Sequence, residues 1–177
     1  MSTKIDNGRT NLEVKLSKIS GRGVFTKIEI RKGQTICFLN GEKINLNEMV
    51  RRVNLGAEMG SDPLQTGDEE YLDLDDFSRS FNHSCNPNSF IKGKNELVAL
   101  KNIGAGEEIT YDYSSTMDDN YKNASRGIWT NKCNCGSPNC RGTVDQFRML
   151  PKDVKEFYLK NSYAQDFILK KFCDAKA

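Results

Sequence analysis

Histidine is almost absent: His83 is the only one in 177 residues. A Ser–His–Asp triad or a histidine-built metal site would each have to use it, and no His-Glu-x-x-His pair occurs. The phosphate-cradling Gly-x-x-x-x-Gly-Lys-[Ser/Thr] loop and the Gly-x-Ser-x-Gly elbow are missing too. Gly21-Arg22-Gly23 is followed by Thr26 where a dinucleotide fingerprint needs a third glycine, which speaks against a Rossmann site. With 14 glycines and four prolines the chain is neither collagen-like nor of low complexity. No apolar run approaches the roughly 18–20 residues that span a bilayer. Met1 to Asn11 holds no apolar stretch of the kind a secretory signal needs, so an intracellular protein, cytoplasmic or nuclear, is expected. Neither sign of charge dominates. Twenty-six basic and 24 acidic side chains leave a net charge of +2, which gives no electrostatic case for direct nucleic-acid binding.

What is present suits one domain with a real core: 37% of residues are hydrophobic and 28% charged. The first two thirds read as short strands. Leu12, Val14 and Leu16 alternate with polar residues, and Val24-Phe25, Thr35–Leu39, Ser89–Ile91, Leu97–Leu100 and Ile109–Tyr111 continue the series. Gly, Pro, Asn and Asp punctuate them, and Lys92–Asn95 looks like a hairpin connection. Asn45–Met59 has helical spacing at Met49, Val50 and Val53, with Asn47 as the expected N-cap. From Pro151, suited to a first helical position, Val154, Phe157, Tyr158, Phe167, Ile168 and Phe172 predict one amphipathic helix packed on the domain or on a partner.

Cys133-Asn134-Cys135-Gly136-Ser137-Pro138-Asn139-Cys140 puts three of the six cysteines in one loop. Three sulfurs can converge there, and a closed zinc site needs a fourth ligand. Cys37 lies in an apolar strand pattern and Cys173 in the tail, whereas Cys85 lies in the polar heptad Asn82-His83-Ser84-Cys85-Asn86-Pro87-Asn88 and is the best fourth ligand. Ordinary loop thiols, or a redox Cys-x-Cys pair, are the competing readings of the cluster. The heptad itself crowds donors and acceptors into seven residues, and burying such a segment costs free energy unless each is satisfied. Glu107-Glu108-Ile109-Thr110-Tyr111-Asp112-Tyr113 comes twenty residues later and, taken alone, reads as an edge strand.

Four blocks in this order resemble a known family. Gly21-Arg22-Gly23-Val24-Phe25, Arg79–Asn88, Glu107–Tyr113 and Cys133-x-Cys135-x4-Cys140-Arg141-Gly142 make residues 12 to 142 similar to a SET-domain protein lysine methyltransferase with a post-SET zinc loop. With no cysteine-rich segment ahead of it, the chain would be a minimal SET plus post-SET unit. The resemblance implies a mainly β fold: small sheets around a pseudoknot in which Tyr111–Tyr113 threads past Asn82–Asn88. It implies a SET domain over 12–115, a post-SET segment over 116–148 and a helical tail over 149–177. S-adenosylmethionine would be bound by Gly21, Arg22, Gly23, Asn82, His83 and Tyr111, and one structural zinc by Cys85, Cys133, Cys135 and Cys140. Tyr113 and Tyr111 would be the catalytic pair, and the partner a protein or peptide carrying a target lysine, with no membrane involved.

One position departs from the pattern: Leu39 stands where many members carry a channel tyrosine, which bears on how many methyl groups are added. Asp68–Asp76 holds six acidic residues in nine and reads either as a solvated acidic turn or as a channel rim attracting basic peptides. Two other functions compete with an active enzyme. One is a zinc-stabilised SET module that only binds a partner, and the other a thiol oxidoreductase built on Cys133 and Cys135.

Overall fold

The structure, a computed structural model, describes residues 8–56, 62–118 and 130–173. The alternation at Leu12 becomes β1 (Leu12–Leu16), and the chain reverses into β2 (Arg22–Thr26). The Ser17 N–H closes that reversal on the Gly21 carbonyl at 3.0 Å. There follow β3 (Thr35–Phe38), β4 (Gly41–Asn45), α1 (Leu46–Asn54), β5 (Pro63–Gln65) and β6 (Glu70–Leu74). Next come β7 (Asn82–His83), β8 (Ser89–Lys92), β9 (Glu96–Ala99) and β10 (Glu108–Tyr111). The last elements are β11 (Asn131–Lys132), β12 (Thr143–Val144), α2 (Lys152–Asn161) and α3 (Asp166–Cys173).

The described strands form small sheets in the orders β1-β2-β10-β7, β3-β9-β8, β4-β6-β5 and β11-β12, so the expected mainly β fold is found. β8 and β9 pair antiparallel with Lys92 opposite Glu96, which makes Lys92–Asn95 a hairpin turn. One pairing is parallel: β10 runs beside β7, with Thr110 opposite Asn82 and Tyr111 opposite His83. The polar heptad then wraps β10. Asn88 donates to the Glu108 carbonyl (2.8 Å) and accepts from the Thr110 N–H (2.8 Å), while Ser89 donates to the Thr110 carbonyl (2.8 Å). The Asn88 amide is thus satisfied by the backbone of β10, which is what its burial demands. Beneath lies the principal core, including Val24, Leu39, Phe81, Ile91, Leu97 and Ile109, each at most 1% exposed. Each such side chain contributes about 1.5–3 kcal/mol of burial.

Three expectations change. The helix near Asn45 is capped by Asn45 itself, whose side chain accepts from the Glu48 N–H at 3.0 Å; Asn47 falls inside the first turn because the helix starts where β4 ends. Residues 57–61 of that expected segment lie outside the described part. The single C-terminal helix is two helices. Ser162, in the left-handed region at φ 56°, ends α2, and Pro151 sits at the N-cap, outside the helix, with ψ 148°. The acidic stretch is a turn only at its ends, where Asp68, Glu69 and Asp76 are exposed; β6 runs through its middle, central between β4 and β5. Asp73 is buried and ion-paired to Arg52 and Arg79, Asp75 pairs with Arg9 (2.9 Å), and Glu70 with Lys94 (2.6 Å). No described helix is long and apolar enough to cross a membrane.

Candidate functional site

Asn82 organises the first part of the site. Its amide nitrogen donates to the carbonyls of Ser20 (3.2 Å) and Arg22 (2.9 Å) and to Glu108 Oε1 (2.7 Å), so the β1–β2 turn is tied to β7. Ser17 donates to the same carboxylate at 2.8 Å. A Cβ at position 23 would lie 2.2 Å from Glu108 Oε1, so glycine there leaves room for that carboxylate. Asn82, His83 and Tyr113 line a cavity of about 350 Å3 together with Ile19, Ser20 and Cys133. That volume falls within the roughly 300–1,000 Å3 of small-molecule sites. Gly21, Arg22, Gly23 and Tyr111 do not line it; the turn reaches it through Asn82 and Ser20.

His83 is buried and fixed from both ring nitrogens. Nδ1 accepts from the Tyr113 N–H (3.2 Å), which leaves Nε2 to donate to Cys85 Sγ (3.3 Å). Burial pushes its pKa down to about 4, so the ring stays neutral, consistent with that tautomer. Tyr113 donates its hydroxyl to the Phe81 carbonyl at 2.6 Å, and its ring lies 4.8 Å from that of Tyr111 and 5.5 Å from His83. Burial raises both phenols, for Tyr113 with help from the carboxylates of Asp62 and Glu108, so both stay protonated. Leu39 is fully buried in the core that also holds Tyr111.

The sulfurs of Cys85, Cys133, Cys135 and Cys140 all lie within 4.8 Å of one another, with Cys85 and Cys133 3.7 Å apart. Tetrahedral zinc with Zn–S bonds near 2.3 Å separates its sulfurs by about 3.8 Å. Backbone N–H groups donate to them: Arg141 to Cys85 (3.3 Å), Cys85 to Cys135 (3.5 Å) and Gly142 to Cys140 (3.4 Å). Such donors suit thiolates, so the donor set fits zinc. β11 and β12 close the base of the loop, where the Cys133 N–H donates to the Gly142 carbonyl at 2.9 Å. Cys37 and Cys173 stay apart from the cluster. Burial in the core pushes the Cys37 thiol up to about 12, and Cys173 is exposed at the end of α3.

Sequence reasoning assigned no role to Asp112, Arg141, Ser17 or Glu108. Asp112, at 1% exposure, accepts from Arg141 Nη2 at 2.7 Å and from the Tyr158 hydroxyl at 2.9 Å. The position of Asp112 between two tyrosines and of Arg141 beside Cys140 was the available signal for those two. Tyr158 carried none, since it read as one more apolar residue of a helix.

Comparison with known proteins bears on the same residues. The model of the SET domain matches residues 21–114, which hold the turn, the heptad and the Glu107–Tyr113 block. A variant-silencing SET domain-containing protein of Plasmodium falciparum is 32% identical over 73% of this chain and 5% of its own length. Human histone-lysine N-methyltransferase 2B is 33% identical over 71% of this chain and 5% of its own. The H3 lysine-36 specific histone-lysine N-methyltransferase of Candida glabrata is 30% identical over 82% of this chain and 22% of its own. This chain therefore spans a small part of each of these relatives. The matched segment is more than half of the 177 residues and carries the parallel β7–β10 pairing around which the site is built, so the chain belongs to the SET-domain family.

Proposed function

We propose that this chain is a protein-lysine N-methyltransferase that uses S-adenosylmethionine and carries one structural zinc. The observation that carries the reading is the convergence of Asn82, His83 and Tyr113 on one cavity beside the four-cysteine cluster, within a SET domain. Gly21, Arg22, Gly23, Asn82, His83 and Tyr111 would hold the cofactor, which supplies an electrophilic methyl group. Cys85, Cys133, Cys135 and Cys140 would hold the zinc. In this reading 12–115 is the SET domain, 116–148 the cysteine-bearing segment and 149–177 the tail.

A lysine amine near pKa 10.4 attacks only after losing its proton, and an apolar channel beside a cation favours the neutral form. Tyr113 spends its single hydroxyl proton on Phe81, so its oxygen acts as an acceptor for the amine N–H or the polarised methyl C–H. Tyr111, packed against Tyr113, limits the space around the amine. Water exclusion and alignment supply the rate of such an in-line displacement. Two of the similar proteins bear the name histone-lysine N-methyltransferase, so histone-tail peptides are the first substrates to test, with an intracellular, nuclear or cytoplasmic, place of action.

The test uses the recombinant chain with isotopically labelled cofactor and lysine-containing peptides, read by mass spectrometry. Methyl transfer to a lysine, lost in Tyr113→Phe, supports the reading. Cofactor that fails to bind by calorimetry, with no transfer to any peptide, overturns it.

A further inference from the structure

The carboxylate of Asp112 joins three parts of the molecule. It leaves β10 between the two site tyrosines, and Oδ1 accepts from the Ser114 N–H at 3.0 Å, capping the short 3-10 turn of Tyr113–Thr116. The same oxygen accepts from Arg141 Nη2 at 2.7 Å. Arg141 directly follows Cys140, and its own N–H donates to Cys85 Sγ, so side chain and backbone of one residue link Asp112 to the cysteine cluster. The second oxygen, Oδ2, accepts the hydroxyl of Tyr158 at 2.9 Å. Tyr158 lies on α2, 46 residues along the chain, and is 2% exposed.

A carboxylate this deeply buried is stable only when both oxygens are partnered. Arg141 and Ser114 satisfy one oxygen, and the Tyr158 hydroxyl satisfies the other. Without the hydroxyl, Asp112 has reason to rotate toward another donor, and the guanidinium that follows Cys140 must move with it or lose its bond. His83, whose Nδ1 lies 3.4 Å from Oδ1, shares that neighbourhood, as does the Tyr113 backbone. Elsewhere on α2, Val154 and Leu159 pack into the cluster of Phe147, Leu150 and Ile168 of α3, and Lys155 donates to the Arg148 carbonyl at 3.0 Å. Packing of that kind would be served equally well by phenylalanine at 158, so the hydroxyl bears a separate role.

We propose that Tyr158 is a positioning residue of the site: through Asp112 it fixes Arg141 and thereby holds the cysteine loop against His83 and Tyr113. The helical tail is then part of the working site rather than an appended support. The role in turnover rests on the methyltransferase reading, whereas the hold on the cysteine loop does not.

The experiment compares the zinc-loaded 177-residue chain as wild type, Tyr158→Phe and Val154→Ala, the last removing only packing from the same helix. Zinc transfer to a chromogenic chelator is followed at a temperature well below every melting point. Loss of a partner just outside a metal site typically costs about 10–100-fold in affinity or activity. Tyr158→Phe is expected to release zinc about 10-fold faster, with Val154→Ala at the wild-type rate. Where wild type methylates a peptide, Tyr158→Phe should lower kcat about 10-fold or more with the peptide KM unchanged. Wild-type zinc release in Tyr158→Phe, an equal acceleration in Val154→Ala, or an unchanged kcat overturns the proposal. A wild type that transfers no methyl group defeats the methyltransferase reading instead, and the zinc comparison alone then decides this one. Should Tyr158→Phe not fold, Arg141→Lys, which keeps the charge and loses the guanidinium fork, puts the same zinc-release question from the other side of Asp112.

Discussion

Because the Tyr113 hydroxyl donates to the Phe81 carbonyl, removing it takes away an acceptor from the cavity and a bond from the backbone just before β7 in one step. Tyr113→Phe is expected to lower kcat by about 100-fold or more, the scale of losing one aligned polar group, while cofactor affinity changes little. Tyr111→Phe should leave turnover measurable and move the products toward higher methylation, since it frees room beside the amine. Mass spectrometry of the methylated peptide reads both, and an active Tyr113→Phe would reverse the two assignments. Gly23 makes a sharper point about the turn. A methyl group there would displace the Glu108 carboxylate from Ser17 and Asn82. Hydrogen bonds to a charged group are worth about 1.5–3 kcal/mol, so Gly23→Ala should weaken cofactor binding by about 10-fold or more. Calorimetry measures it, and unchanged affinity would separate the turn from the cofactor.

At the scale of elements, local pattern and distant partner divide what a sequence can tell. β1, β2, β8 and β9 were readable because apolar alternation and turn residues act over a few positions. β6 was not: Asp73 looks like a loop residue until Arg52, 21 residues back, and Arg79, six residues on, are seen to neutralise it. Cys85 was readable as a ligand because its neighbours are polar, while Tyr158 was hidden because its function depends on one oxygen 46 residues away. The join between 118 and the tail is of the same hidden kind. Asp118 pairs with Arg148 at 2.7 Å and with Lys171 of α3 at 2.9 Å. Burial works to raise the Asp118 pKa, but bonds from Arg148 and Lys171 outweigh it and hold the carboxyl below its ordinary value. A depressed folded pKa means stabilisation that is present at neutral pH and is lost as pH falls through that folded value. Asp118→Asn is therefore expected to cost about 1–2 kcal/mol at pH 7, discounted for the solvent around both cations, and nothing in strong acid. Urea unfolding of both proteins at pH 7 and at pH ~2 checks the sign.

For the whole molecule the cysteine cluster is the widest clasp, since Cys85 comes from the heptad and its three companions from a loop that begins at Cys133. A metal that only the folded chain can bind adds its binding free energy to folding. Cys135→Ser should lower zinc content, melting temperature and cofactor affinity together, as measured by elemental analysis, calorimetric melting and titration. Full cofactor affinity in a zinc-free protein would show that the loop needs no metal to close.

The order of strands in the first sheet also has a bearing on how the chain is made. β2 lies between β1 and β10, so its second edge has no partner strand until residue 108 has been synthesised, 82 residues after β2 ends at Thr26. At roughly 5–20 residues per second a ribosome needs about 4–16 s to cover that distance. Through that interval any hairpin of β1 and β2 carries one edge of unpaired backbone N–H and C=O groups, the kind of template that pairs with a neighbouring nascent chain or is covered by a chaperone. Slow codons placed between these two strands would lengthen the exposure, whereas slow codons after Tyr111 would not.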